Sequence, residues 1–536
     1  MEALAAFGAW AAAPLPFASP LGTAIRCRLP GAKDRAWKRI GGTEVEAISR
    51  RGTLAASAAG AVLAAAGDLS AQPLPQAATP APGFDTLREL IEAARANAPG
   101  LGDLMTRCLP GLQSGGAAAV PAADAVPMGG TTTVGTVASG GVAAAWGEDV
   151  LFALRSDKPG TILIDQQAGQ QAGQQAPAPM TQVAGTDLWF RLETLPTGAT
   201  HRFTLFSGGR DVGSNAVAGY TADSYPIAGA ARGTLSDRRT VTSAIYGGAQ
   251  ANYWIYANAG IDTVRGAPLM VWQDGQGCVG APDLVNFRLQ AVTDNLVHQG
   301  RIPPMVHLLI APGTGGERRP LRFPGEDQGN VMRSLQYDTV SDRYGRYLHE
   351  EVLPEVEKAV KLRQDAYSRG AAGQSSGGIC SFSLAWFHPE RFSRVHSTIG
   401  SFTGLQWLPE EGVEGGFILS NRVRRDPKRN MRVWMSDGLN DIEVDSNGRQ
   451  DLYVAGSWPL NNIQLANALK TRGYDFHFRY GTATHSSAQG AMDLPESLSW
   501  LWRGYDPGKT EETFEQEAAE RAKPIFRVQI ANRDAW

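Results

Sequence analysis

Cysteine is scarce in this chain: Cys27, Cys108, Cys278 and Cys380 are the four among 536 residues. None forms a CxxC pair and none has a histidine at zinc-ligand spacing, so neither a metal site nor a disulfide-built scaffold is expected. A surplus of one charge is missing too. Lys and Arg number 50 against 53 Asp and Glu, a formal net charge of −3, so nothing draws the protein to nucleic acid or to an anionic membrane. With 43% hydrophobic residues the composition is that of an ordinary globular protein, and the length accommodates roughly two to four domains with a sizeable core.

A leader-like segment is present. Ser49-Arg50-Arg51-Gly52-Thr53 precedes an uncharged, Ala-rich run from Leu54 to Ala66, and Asp68-Leu69-Ser70-Ala71-Gln72 follows. A basic start, a short apolar centre and a small-residue exit read as a secretory signal, and the adjacent arginines point to the twin-arginine route. The apolar run is too short to span a bilayer, so no stable membrane insertion is expected after cleavage. The expected location is periplasmic or secreted, with exported material beginning near Gln72. Residues 1–44 resemble no targeting segment, and a translation start downstream of Met1 would account for them. Loss of Cys27 with the leader leaves three cysteines, enough for one disulfide at most and at least one free thiol.

The remainder divides by texture. Residues 1–71 are the upstream extension and signal, and 72–142 a linker with a short helix, its pattern set by Leu87, Leu90, Ile91 and Ala94. Residues 143–238 carry short strand-like runs such as Leu151 to Arg155 and Asp187 to Leu192, punctuated by Gly, Pro, Asp and Asn. They predict a small immunoglobulin-like β-sandwich, with the Gln-rich tract Gln166 to Pro179 as a surface loop. From 239 to 506 strands alternate with helices. Val241 to Tyr246 and Tyr253 to Tyr256 predict a hairpin, and Ala267 to Gln273 and Met305 to Ala311 predict buried strands. One long helix is expected over Ser341 to Leu362. Strands follow at Arg394 to Ile399, Met431 to Met435 and Phe476 to Tyr480, with a helix over Leu460 to Arg472 before the last. This is an α/β pattern: a mainly parallel sheet covered by helices, with ligands at the carboxyl ends of its strands. Residues 507–536 are left as a C-terminal tail.

The sharpest local signal is Gly373-Gln374-Ser375-Ser376-Gly377-Gly378, a GxSxG element before the helix-compatible Ile379 to Phe387. A serine held on a tight strand-to-helix turn needs small neighbours, and a helix N-terminus favours an oxyanion beside it. The hydroxyl is a weak nucleophile without a base in reach. In an α/β-hydrolase the order is Ser, acid, His, each on a loop after a strand. His485 fits as base because it lies just past a predicted strand, whereas His477 lies within it. For the acid, Asp441 leads in the segment Ser436 to Glu443, with Glu443 and Asp437 as alternatives. The Ser376 amide is expected to supply one half of the oxyanion hole, and the loop Gln273 to Gly277 the other.

Six stretches, Leu269 to Gly275, Tyr337 to Tyr344, Gly373 to Phe382, Ser397 to Thr403, Gly456 to Leu460 and Leu498 to Arg503, together resemble an esterase family of the α/β-hydrolases. The family includes enterochelin esterase, esterase D, feruloyl esterases and mycolyltransferases, and the enterochelin-esterase-like branch is the nearest in pattern. The resemblance runs from about Ser243 to Tyr505. It implies Ser375 as nucleophile, His485 as base, the amides of Ser376 and Gln276 as oxyanion hole, and no cofactor or metal. It supports Asp441 as the acid, although residues 444–454 lengthen the chain beyond the branch's pattern, so the alternatives stay open. The implied reaction is hydrolysis of a carboxylic ester of a small molecule or a glycan, a siderophore, feruloyl or related ester, through an acyl-enzyme. Two other functions fit the same sequence: acyl transfer to a sugar or lipid alcohol, and non-catalytic glycan binding using some of the 13 tryptophans.

Overall fold

The computed structural model describes residues 84–109, 112, 141–164, 176–279, 287–318, 328–442 and 456–526. The leader, Glu443 and residues 444–454 lie outside them, as does most of the Gln-rich tract. Residues 77–536 form one compact unit.

Helices α1 (Phe84–Ala96) and α2 (Leu101–Cys108) occupy the stretch expected to be a linker. Leu87, Leu90, Ile91 and Ala94 are buried as their spacing predicts, together with Leu101 and Met105. Strands β1 (Gly141–Trp146), β2 (Asp149–Arg155), β3 (Gly160–Ile164), β4 (Ala178–Pro179), β5 (Thr181–Gln182), β6 (Leu188–Thr194), β7 (Thr200–Ser207) and β8 (Arg210–Ala218) then build two four-stranded sheets, ordered β1-β2-β6-β5 and β4-β3-β7-β8. Phe152 of one sheet meets Phe203 of the other edge to face at 5.0 Å. The run in β2 is buried on both faces: Val150, Phe152 and Leu154 face the second sheet, while Leu151 and Ala153 pack against α1 and α2. That double burial explains an unbroken apolar strand where a sandwich with one wet face would alternate.

The central sheet contains β9 (Thr234–Leu235), β10 (Arg239–Ser243), β11 (Ala249–Ala257), β12 (Leu269–Gln273), β13 (Val306–Ile310), β14 (Arg369–Gln374), β15 (Arg394–Thr398), β16 (Arg432–Asn440) and β17 (Asp475–Thr484). Its path is β10-β11-β13-β12-β14-β15-β16-β17, antiparallel through β10, β11 and β13 and parallel thereafter. One crossing of neighbours, β13 with β12, followed by parallel strands in sequence order is the α/β-hydrolase arrangement. Side chains alternate along each strand. Leu269 and Val271 enter one core, Met270 and Trp272 the other.

Helix α3 (Leu289–His298) packs in the second of these cores. Helices α4 (Gln328–Tyr337), α5 (Arg343–Tyr347), α6 (Leu353–Glu357), α7 (Ser376–Phe387), α8 (Leu419–Arg425) and α9 (Trp458–Thr471) cover the first. Helix α10 (Ala488–Leu501) returns to the second beside α3. The long helix expected over 341–362 is shorter and interrupted: α5 passes through a π turn at Leu348–Val352 into α6. Pro354 lacks an N–H, and the wider turn before it absorbs the lost bond while Tyr344, Tyr347, Leu348, Val352 and Val356 all stay buried. Beyond α10 the chain remains on the body, with Phe514 against the Arg394 and Arg432 guanidinium groups at 5.1 and 4.5 Å. Cys108, Cys278 and Cys380 are buried and not disulfide-bonded.

Candidate active site

Strand β14 is flanked by β12 and β15, so its carboxyl end opens in the middle of the sheet. Ser375 follows it directly and caps α7 with φ 53° and ψ −123°. A serine at positive φ is strained, and the surroundings hold it there. Its N–H donates to the Thr398 carbonyl at 3.0 Å, and its own carbonyl accepts from Ser401 and Gly378. The turn closes only because residue 373 is glycine: a Cβ there would lie 2.5 Å from the Gly377 carbonyl carbon.

Ser375 Oγ lies 2.9 Å from His485 Nε2, and His485 Nδ1 lies 2.6 Å from Asp441 Oδ1. His485 stands one residue past β17, and Asp441 one residue past β16. These two strands are parallel neighbours with a register shift between Gly438 and Asn440, which turns the chain out of the sheet at the acid. Asp441 Oδ1 also accepts the Ile442 N–H at 2.6 Å, fixing the carboxylate's orientation. Ser375 is only 6% exposed, so the hydroxyl and imidazole meet where water screens little.

Residues 256–501 match the family described as "Putative esterase". The matched stretch, just under half of the chain, marks out its esterase-like domain. It is 25% identical over 264 residues to the iron(III) enterobactin esterase of Dickeya dadantii, a match covering 48% of this chain and 53% of that protein, so the chain spans about half the length of the curated relative it matches. Among solved structures it is similar to the enterobactin esterase of Shigella flexneri crystallised in the presence of enterobactin, at 17% identity and TM-score 0.45, covering 66% of this chain and 93% of that one. A ferulic acid esterase of Anaeromyces mucronatus is similar at 16% identity and TM-score 0.37, covering 54% and 97%.

Within the esterase domain the alternative acids separate on position. Asp437, expected in a loop, lies inside β16, which runs five residues further than Met435. It is fully buried, and burial together with the neighbouring Asp441 carboxylate pushes its carboxyl well above the usual carboxylate range. His485 Nδ1 bonds Asp441, whereas Asp437 Oδ1 accepts the Gly438 N–H at 2.7 Å. Glu443 lies outside the described residues. Among the other histidines, His307 and His396 are core groups. His307 accepts the Trp272 indole N–H at 3.1 Å and is pushed down to about 3 by burial. His396 sits 2.9 Å from Ser497 Oγ, its pKa lowered to about 4 for the same reason. His477 stacks on Trp434 at 4.3 Å.

Around the expected oxyanion hole, Ser376 opens α7 and Gln276 lies in a short turn, Gly275–Cys278, after β12. A Cβ on Gly275 would meet the Leu309 and Ile310 backbone at 2.4 Å, so that turn packs directly on β13. Sequence reasoning missed two groups beside the nucleophile. Ser401 Oγ is 3.1 Å from Ser375 Oγ and accepts the Trp458 indole N–H at 2.9 Å. Trp458 also faces the His485 ring edge-on at 5.7 Å. Both lie in stretches that carry the family resemblance, Ser397 to Thr403 and Gly456 to Leu460, which was the signal available for them.

Proposed function

We propose that the protein hydrolyses a carboxylic ester through an acyl-enzyme on Ser375, on a substrate of the enterochelin-esterase-like class, a siderophore, feruloyl or related ester. The observation that carries this is the unbroken hydrogen-bond chain from Ser375 through His485 to Asp441. As Ser375 Oγ attacks the ester carbonyl carbon, His485 Nε2 takes its proton, and Asp441 holds the Nδ1–H and stabilises the imidazolium. The carbonyl oxygen becomes an oxyanion facing the Ser376 and Gln276 amides. Collapse breaks the bond to the leaving alkoxide, which takes the proton from His485. Water then repeats the sequence on the acyl-enzyme and releases the acid. No step draws on a metal or cofactor.

The names of the relatives support this substrate class. The two sheets before the catalytic domain we read as an immunoglobulin-like sandwich. Export by the twin-arginine route to the periplasm or beyond rests on the Arg50-Arg51 leader. The test is Ser375→Ala assayed on a p-nitrophenyl ester beside a fluorophosphonate label: turnover should fall by orders of magnitude and labelling should vanish with the fold intact. Retained turnover refutes the serine mechanism.

A further inference from the structure

The two halves of the oxyanion hole sit on different segments, the turn after β12 and the start of α7. Preorganised stabilisation demands that such donors keep their spacing to within about 0.5 Å while charge develops. A single side chain from a third segment joins them. Arg333, on α4, donates from Nε to Asp274 Oδ1 at 2.9 Å and from Nη2 to Asp274 Oδ2 at 2.8 Å. Its remaining nitrogen, Nη1, donates to Ser376 Oγ at 3.0 Å. Asp274 lies two residues before Gln276 and adopts φ 55°, a left-handed conformation unfavourable for aspartate. Its N–H donates to the Tyr337 hydroxyl at 3.3 Å, so α4 holds this residue from two sides.

All three partners are buried: Arg333 and Asp274 are each 4% exposed and Ser376 3%. A planar guanidinium with three nitrogens in fixed directions can bridge a carboxylate and a hydroxyl at once, which an ammonium cannot do. Ordinary packing does not require a buried ion pair at this place. An apolar contact of the same volume would serve stability as well or better, which leaves geometry as the reason for the pair. We infer that Arg333 is a positioning residue for ester hydrolysis, locking the Gln276 and Ser376 amides into one oxyanion-binding geometry. This rests on the serine mechanism proposed above.

The test compares wild type with Ser376→Ala, Arg333→Lys and the paired Asp274→Asn/Arg333→Gln, with Ser375→Ala as the reference for the mechanism itself. Ser376→Ala keeps the backbone amide and removes only the hydroxyl, which Arg333 holds and the Asp338 carboxyl also bonds, and it leaves the buried Arg333–Asp274 pair in place, so it replaces no buried charge. We expect kcat to fall about 10-fold in Ser376→Ala and about 100-fold in Arg333→Lys with KM within about twofold, because the donors act on the transition state. Affinity for a boronic acid, which forms a tetrahedral adduct on Ser375, should fall by the same factor as kcat. Folded variants with wild-type kcat and boronate affinity overturn the inference, as does a loss of melting temperature or a rise in KM with kcat unchanged. If Ser375→Ala itself retains turnover, the serine mechanism fails instead.

Discussion

Asp441 and Asp437 lie four residues apart at the end of β16, and replacing each by asparagine separates their roles by magnitude. In Asp441→Asn the side-chain oxygen can still accept the Ile442 N–H and the His485 Nδ1–H, so the ring keeps its place and tautomer. What disappears is the negative charge beside the imidazolium that forms during attack. With Nδ1 and Oδ1 at 2.6 Å, the charge centres are about 4 Å apart, and at an effective dielectric constant of about 20 their attraction is about 4 kcal/mol. That is roughly a 1,000-fold loss in kcat/KM. Burial and the neighbouring Asp441 carboxylate push the Asp437 carboxyl well above the usual carboxylate range, and asparagine keeps its shape without a charge, so Asp437→Asn should stay within about threefold of wild type. The assay is steady-state hydrolysis of a p-nitrophenyl ester at pH 7.5 with melting temperatures as a control. A folded Asp441→Asn enzyme within about tenfold of wild type, or an Asp437→Asn enzyme as damaged as Asp441→Asn, would show that the wrong carboxylate has been assigned.

Three more perturbations bear on the same framework. Burial raises the Asp338 carboxyl from 3.8 to about 6. The folded state therefore binds its proton more tightly than the unfolded chain, so this group's stabilisation is complete below about pH 4 and is lost as pH rises to about 6, some 3 kcal/mol in all; Asp338→Asn should flatten that part of the denaturant-midpoint profile, and an unchanged slope would contradict the assignment. Gly373→Ala forces a Cβ to 2.5 Å from the Gly377 backbone, so soluble yield or fluorophosphonate labelling should collapse, whereas wild-type labelling would mean the turn can relax. Trp458→Phe removes the indole N–H from Ser401 Oγ, a bond worth about 1 kcal/mol, and should lower kcat about fivefold at constant KM; equal loss in KM would point to a packing effect instead.

The sequence made Ser375 readable because the turn that strains a serine admits only small residues around it, and that constraint leaves a local mark. His485 was readable for a topological reason, as a histidine directly beyond a late strand. The acid was harder, because the ends of β16 and β17 were misplaced. Asp437, Gly438 and Asn440 are weak strand formers, yet pairing with β17 carries β16 through them, and this moves Asp437 from a loop into the core. The Arg333 contacts left no local mark, and Ser401 and Trp458 left only the family resemblance of the stretches in which they lie. Each joins segments 43 to 59 residues apart through one hydrogen bond or a few, and a buried arginine reads in sequence like any other charged helix residue. In the same way the helical pattern of α1 and the strand character of β2 and β6 were readable, while the packing of α1 and α2 on that sheet was not.

The sandwich is joined to the domain that carries the proposed catalytic residues by more than sequence proximity. One continuous core runs from Phe152, Phe203 and Leu205 of the sandwich to Trp272, Phe287 and Leu498 of the esterase domain. Arg288 extends this join, donating to the Ala145 carbonyl at 3.1 Å with its guanidinium 3.5 Å from the Tyr220 ring centre. At the rim, Arg202 of β7 donates to Asn440 Oδ1 at 3.1 Å, and Asn440 Nδ2 donates to the Thr482 carbonyl at 2.8 Å. Asn440 immediately precedes the acid, and Thr482 lies three residues before the base. The side chain that ties the two strand ends together is thus itself held by the sandwich. A displacement of the sandwich would pass through Arg202 to Asn440 and from there to the spacing of residues 441 and 485. The two sheets therefore belong to the scaffold of the proposed Ser375-His485-Asp441 triad, and the resemblance of residues 256–501 alone does not describe what keeps Asp441 and His485 in register.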